Sequence, residues 1–385
     1  MKKLFDEILH QIITFWKNLR DFHHGGYYGY VDSKGSIDKY ANKGGIITAR
    51  ILWFFSAAYN LLKDEQLLPY AQAAYDFLST KLWDKEQLGI FWEVDYLGIS
   101  VDTRKHIYAQ AFAIYGLTEY YIASKDKKAL QLAKDIFNLI EEKGKDELGY
   151  LEEFYRFWQE KPNEMLGYTG INAERTMNTH LHLLEAYTAL YRVWKTEDLK
   201  KSLTFLINIF KDNIYDNLTH HLQCFFDRNW QSLINIKSFG HDIECSWLLD
   251  EACEVLGDES LSQAVQLVTN NLVKSVIEEA YDHNSIINEN VNGHLDKTRV
   301  WWIQAEAIVG LYNYYQKTKD SLIYSYIQKI VTFIQKYLIS PYGEWYWEVD
   351  DSYLPELSKE LAGFWKCPYH NGRMCIELLR RMDES

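Results

Sequence analysis

The chain has 385 residues, 47% of them apolar, and its 54 acidic side chains outnumber 41 basic ones for a formal net charge of −13. That balance argues against nucleic acid or an anionic membrane as partner, since either attracts clustered lysine and arginine. A small neutral substrate fits better, and 13 Trp, 29 Tyr and 18 Phe supply either a large aromatic core or faces on which a sugar stacks. The five cysteines (Cys224, Cys245, Cys253, Cys367, Cys375) are odd in number and include no C-x-x-C pair. They signal neither a disulfide framework nor a zinc site, so a cytoplasmic protein is expected.

At the start of the chain, Asp6, Glu7 and His10 interrupt the apolar run that a signal peptide needs, while Ile8, Ile12, Phe15, Trp16 and Leu19 follow helical spacing. No stretch approaches the roughly 20 apolar residues of a membrane span. A short phrase then recurs: Lys63-Asp64-Glu65-Gln66-Leu67, Lys125-Asp126-Lys127-Lys128-Ala129, Glu197-Asp198-Leu199, Gly257-Asp258-Glu259-Ser260-Leu261 and Lys319-Asp320-Ser321-Leu322. Its aspartates stand 62, 72, 60 and 62 residues apart and suit helix N-termini, as caps or as charges facing the helix dipole.

Before each phrase lies a helix rich in small and aromatic residues: Leu52 to Leu62, Phe112 to Ala123, Leu181 to Trp194, Trp247 to Leu256 and Ala305 to Tyr315, with a sixth from Met374 to Met382. A Gly- or Asn-punctuated aromatic segment precedes each helix, so every repeat reads as outer helix, long loop or short strand pair, inner helix. Six such units fill residues 1–385 as one domain, and only 5 prolines suit a helical chain. The predicted fold is all-α, an (α/α)6 barrel of six helical hairpins with long loops or short strands at one end; an open solenoid shares the same period.

Such a ring would bring the starts of its inner helices together, and polar or aromatic residues stand there: Arg50, His106 with Tyr108, Asn178 with His180 and His182, His241 with Glu244, Arg299 with Trp301, Trp302 and Glu306, and Trp365 with His370. Asn178 and His182 share a helix face at i, i+4, as do His241 and Glu244 at i, i+3, whereas His180 points elsewhere and reads as packing or support. His106 competes with Tyr108 for the inward direction and is left open. His370 enters its helix beside Pro368 and Gly372, which break up the approach. Trp247, Trp301, Trp302 and Trp365 would stack on sugar faces or pack the core. Two histidines at i, i+2 do not meet on one ion, so no metal site is assigned. Among the carboxylates Glu244, Glu306, Asp95 and Glu348, a glycoside hydrolase acid pair is the rival reading, and a noncatalytic sugar-binding barrel a third.

The runs Gly240-His241-Asp242-Ile243-Glu244, Asp296 through Glu306, Trp365 through Met374, Thr176 through Tyr187 and Arg50-Ile51-Leu52-Trp53-Phe54 resemble the cellobiose 2-epimerases, within the N-acylglucosamine 2-epimerase superfamily. The likeness covers essentially the whole chain. It implies an isomerase that interconverts glucose and mannose at the reducing end of β-1,4-linked disaccharides, with neither metal nor organic cofactor. Related members act on free mannose, by 2-epimerisation or by isomerisation to fructose. Inverting C2 of an aldose needs an acid and a base near neutral pH, which suits histidine. On this resemblance His241 and His370 are the acid–base pair. Arg50, His182 and Asn178 hold O1 and O2, while Glu244 and Glu306 orient the imidazoles or bind hydroxyls. Trp302 and Trp365 form the sugar platform, and Tyr108 adds a hydroxyl contact. The substrate is the only expected partner, and the chain is expected to act as a monomer or weak homodimer.

Overall fold

The computed structural model describes residues 1–168 and 170–383. In chain order these form twelve α-helices: α1 (Lys2–Lys17), α2 (Gly45–Leu62), α3 (Leu68–Phe77), α4 (Ile107–Ser124), α5 (Lys127–Leu139), α6 (Met177–Val193), α7 (Glu197–Ile209), α8 (Phe239–Leu256), α9 (Glu259–Ala280), α10 (Trp301–Thr318), α11 (Ser321–Phe333) and α12 (Tyr369–Asp383). The odd-numbered helices are the outer ones and the even-numbered the inner ones.

The two sets differ as their sequences require. On α5 the buried residues Ala129, Ala133, Ile136 and Phe137 form one stripe, the mark of a helix with a wet face. Every residue of α2 from Gly45 to Ala58 is buried. That helix has the length and hydropathy of a membrane span, contrary to the expectation that no such stretch exists, but 78% of it is covered by the protein itself. A helix surrounded by other helices needs no polar face, so core and membrane spans look alike in composition.

The recurring phrase has a two-part job. Lys63, Lys125, Gly257 and Lys319 adopt the left-handed conformation that ends an inner helix (φ 55°, 61°, 69° and 54°). The aspartate that follows each lysine or glycine then serves the next helix. Asp126, Asp258 and Asp320 cap α5, α9 and α11 by accepting from the backbone N–H of Lys128, Leu261 and Leu322. Two repeats depart from this. Asp64 accepts from Gln66 one turn ahead of α3, and the cap of α7 is Thr196, with Asp198 inside the first turn.

Contacts group the chain into two compact units. The terminal unit holds Lys2–Met165, Pro341–Glu344 and the chain from Leu357 onward; the central unit holds Leu166–Ser340 and Trp345–Glu356. In the terminal unit the inner helices α12, α2 and α4 pack side by side, with α1 on α12, α3 on α2 and α5 on α4. The last helix therefore returns to the first hairpin, which an open solenoid does not allow. In the central unit α6, α8 and α10 pack in series, backed by α7, α9 and α11.

The start of each inner helix is tied to its surroundings in a repeated way. Lys43, Lys105, Arg175, Lys237 and Arg299 each lie in a short strand just before an inner helix, and each strand pairs antiparallel with the loop of the following repeat, through Val94, Phe154, Phe226, Asn290 and Val349. The first N–H of the helix then finds a carbonyl in that same loop, as Gly45 does at Trp92, Ile107 at Glu152, Met177 at Cys224 and Trp301 at Trp347. These bonds satisfy groups that a helix leaves orphaned. Four of these basic side chains reach an acid near the end of an outer helix: Lys43 to Asp21 (2.7 Å), Lys105 to Asp84 (3.1 Å), Lys237 to Glu279 (2.6 Å) and Arg299 to Asp282 (2.9 Å). Lys366 meets Glu344 (3.1 Å) in the same sense before α12. Arg299, grouped with the helix mouths on sequence grounds, is thus turned into this scaffold, where it also binds Asp351 and the Ser285 hydroxyl.

Candidate active site

The inner helices begin four to eight residues earlier than their apolar patterns imply, so the polar residues assigned to their mouths lie inside the first two turns. Counting from each helix start, Tyr108, Asn178, Trp302 and His370 are second residues, and Arg50, His182, Glu244 and Glu306 are sixth residues. Second and sixth positions are i and i+4, one above the other on the same helix face. Eight of the twelve candidates therefore occupy two levels of one face. Trp247, the ninth residue of α8, continues that face at i+7.

In the terminal unit the centre is Arg50. Its guanidinium is 3% exposed as a residue and donates to the Tyr108 hydroxyl (2.7 Å), with longer contacts to the Trp365 carbonyl (3.5 Å) and the Cys367 sulfur (3.8 Å). The rings of Phe112 and Tyr369 lie 4.1 and 4.8 Å from its Cζ. No carboxylate pairs with it, and its Nε has no partner among the described residues. A buried cation without an anion is costly, and here aromatic faces, a hydroxyl, a carbonyl and a thiol sulfur offset it. A buried charge of this kind can stabilise an oxygen that becomes negative during a reaction. Trp365 keeps a partly exposed face and sits among Trp92, Phe364 and Tyr108, with ring centroids 5.8, 5.3 and 6.0 Å away. His370 is 7% exposed and lies edge-on to Tyr369 at 4.6 Å. Gly372 is inside α12 rather than a breaker at its entrance. A Cβ there would stand 2.5 Å from the Phe54 ring, so glycine is what lets α12 approach α2.

In the central unit His182 presents Nδ1 to Glu185 (3.0 Å), which orients its other nitrogen. His241 presents Nδ1 to the Ser238 hydroxyl (2.7 Å) and leans on Trp302 at 4.8 Å. Burial pushes the His241 imidazole down to about 3, His182 adds repulsion, and Glu306 opposes the shift only in part. The ring is therefore neutral at pH 7, and its Nε2 has no partner among the described residues. The neighbour Gly240 makes the arrangement possible, because a Cβ there would stand 2.5 Å from the Trp302 ring. Glu306 accepts from the Trp247 indole at 3.1 Å. Trp247 and Trp301 are almost wholly buried, while Trp302 keeps part of its face open. Asn178 is half-buried, and its Oδ1 has no partner among the described residues.

Two histidines belong to the scaffold. His106 accepts from the Tyr108 N–H and caps α4, with burial pushing it down to about 3. His180 meets the Thr176 carbonyl at 2.7 Å. Sequence reasoning missed Glu185, Ser238, Phe112 and Tyr369. Glu185 had a signal, since His182 and Glu185 are i, i+3 on one helix. Within either unit taken by itself, the described residues hold no group of three His, Cys, Asp or Glu side chains spaced to bind one metal ion.

Six helical hairpins, with titratable side chains at two levels of their inner helices, define an enzyme of the (α/α)6-barrel class. Residues 26–371 match the profile of the N-acylglucosamine 2-epimerase (GlcNAc 2-epimerase) family. A cellobiose 2-epimerase of Dictyoglomus turgidum is 44% identical, over 99% of this chain and 98% of its own. The solved cellobiose 2-epimerase of Bacillus thermoamylovorans B4167 is 45% identical with a TM-score of 0.95, over 99% of this chain and 100% of its own. A solved D-mannose isomerase shares the fold alone, at 17% identity with a TM-score of 0.87, over 99% of this chain and 98% of its own. The chain belongs to the N-acylglucosamine 2-epimerase family.

Proposed function

We propose that this isomerase epimerises C2 of the reducing-end glucose in β-1,4-linked disaccharides such as cellobiose and lactose, giving mannose at that position. The isomerase class follows from family membership and from relatives named for this reaction. The observation that carries the chemistry is the half-buried, neutral His241, anchored through one nitrogen by Ser238 and open at the other. Such a ring takes a proton at neutral pH without first losing one.

Once the hemiacetal has opened, a base removes the C2 proton, and the C–H electron pair forms the C1–C2 double bond of an enediolate as charge moves onto O1. A proton is then delivered to the other face of C2. We assign His241 and His370 as the two proton carriers. Arg50, with its unneutralised guanidinium and free Nε, stabilises the developing oxyanion, and His182 and Asn178 hold O1 and O2. Glu244 and Glu306 orient rings or bind hydroxyls, and the partly open faces of Trp302 and Trp365 support stacking on the sugars. Trp247 and Trp301 are almost wholly buried and pack the core. Five free, buried cysteines suit a cytoplasmic enzyme, which we take to be cofactor-independent and to work as a monomer or weak homodimer.

Turnover of cellobiose in D2O tests the scheme. Deuterium is expected at C2 of both epimers, and its absence there would remove proton transfer from the mechanism. Action on free mannose, with 2-epimer or fructose as product, is the second reading, and the fold shared with a mannose isomerase favours testing it in the same tube. Release of free glucose would instead mark a glycoside hydrolase.

A further inference from the structure

Of the inner helices, α8 alone carries an acid in its first turn among the described residues, and that acid, Asp242, directly follows His241. Its carboxylate is fully buried and used on both oxygens. Oδ1 accepts the Leu222 N–H at 2.8 Å, and Oδ2 meets Nδ1 of His221 at 2.7 Å. The other nitrogen of His221 meets Glu279 of α9 at 3.1 Å, and Glu279 is in turn held by Lys237 at 2.8 and 2.6 Å. His221 is itself buried, with Phe239, the first residue of α8, edge-on at 5.8 Å. Lys237 meets its acid directly, as Lys43, Lys105 and Arg299 meet theirs, and here an imidazole also sits between that acid and the inner helix.

The protonation state follows from the geometry. An ionised carboxylate only accepts hydrogen bonds, so a ring with a carboxylate at each nitrogen carries a hydrogen on both. Burial pushes the Asp242 carboxyl up, while the facing His221 ring and the Leu222 N–H favour its ionised form. The remaining charged neighbour on the paired strand, Asp216, is engaged by Leu218 and Thr219, and Glu289 lies on the strand paired with Ser238. The balance of these groups agrees: burial works against the charge of His221, but Asp242 and Glu279 outweigh it and hold the imidazole above its ordinary value.

We propose that His221, kept as an imidazolium between Asp242 and Glu279, is a positioning residue that fixes the first turn of α8 and thereby sets His241 for proton transfer. The proposal rests on the reading of His241 as a proton carrier. Removing the clamp leaves the sugar contacts of the enzyme in place but lets the base drift, and misplacing a reacting group lowers the rate of the chemical step more than the affinity.

The test is made on the full-length enzyme. His221→Gln is expected to lower kcat for cellobiose on the order of tenfold with KM within about twofold, as for a group acting through another. The kcat of the unmodified enzyme is expected to fall as pH rises through the raised value of His221, and this limb is expected to vanish in His221→Gln. Nitrogen-15 NMR of the histidines, with the His221 signal identified by its loss in His221→Gln, is expected to show both nitrogens protonated at pH 7. A neutral His221 at that pH, or a variant with lower thermal stability but unchanged kcat and pH profile, would overturn the proposal. If His221→Gln does not fold, Asp242→Asn replaces it with the same expected loss of kcat and of the alkaline limb. Should the unmodified enzyme turn over no sugar, the functional reading fails, while the NMR result on His221 still stands or falls by itself.

Discussion

His241 and His221 lie near the same end of α8, both within the central unit, and their neighbours give them opposite chemistry. The ring of His241 meets a serine hydroxyl and an indole, so burial keeps it neutral. The ring of His221 meets two carboxylates and holds its proton although it is buried. Burial by itself does not set the protonation state. What each nitrogen faces does, because a carboxylate within hydrogen-bonding distance stabilises the imidazolium by more than desolvation costs it. One helix start thus carries a ring free to exchange a proton beside a ring whose task is to keep one.

The comparison is broken most directly by removing the neutral ring. His241→Asn is expected to lower kcat by about 100- to 10,000-fold, the range of general acid–base catalysis, with little change in the circular dichroism spectrum. His370→Asn is expected to fall in the same range, and activity near that of the unmodified enzyme in either variant would reassign the pair. Next comes the charge those rings serve. Arg50→Met is expected to cost about 100- to 1,000-fold in kcat, as for an oxyanion-stabilising group. Arg50→Lys should recover only part of this, since an ammonium cannot reach Tyr108 and the Trp365 carbonyl with one planar fork.

The smallest effect is the most specific, and it concerns stability. For His221 the folded value lies above the unfolded one of about 6.5, so its contribution is fully present below that pH and is lost as pH rises through the folded value. For His241 the folded value is depressed to about 3. Its contribution is therefore present above about pH 6.5 and is lost as pH falls toward 3. Calorimetric melting across pH is expected to show the alkaline limb flattened in His221→Gln and the acid limb flattened in His241→Asn. Flattening of the same limb in both would remove the distinction between the two rings.

Much of the scaffold was legible in the residues. The lysine–aspartate phrase marks helix ends because a left-handed cap and an N-cap are local demands, met by residues within a few positions. The starts of the inner helices were not legible to the same degree. Leu52 and Trp247 looked like first residues, yet the helices begin at Gly45 and Phe239, since a helix buried on all sides shows no periodic contrast and its polar first turns read as loop. Gly372 looked like a breaker for the related reason that a close helix contact leaves no local mark. Asp198, read as a cap or as a charge facing the helix dipole, is the latter, since Thr196 caps α7 and Asp198 lies in its first turn.

The candidate residues were visible as types and spacings. Their partners were not. Glu185 beside His182 is a helix neighbour that spacing alone predicts, but Ser238, Phe112 and Tyr369 serve rings and charges through rotamers that no spacing specifies. The same limit explains Arg299, which has the residue type of a substrate clamp and the neighbours of a scaffold base.

By itself, the order of residues determined the number of repeats, the helical character and the recurrence of chemistry-bearing side chains at the inner helix starts, all of which are properties of local sequence. The tertiary structure decided which of those groups carry charge and which aromatic faces stay open. His221 owes its proton to Asp242 and Glu279, 21 and 58 residues further along the chain, and Arg50 owes its lack of a counter-ion to an aromatic lining contributed by α4 and α12. Protonation depends on the field at one point in space, and that field is assembled only when distant segments meet.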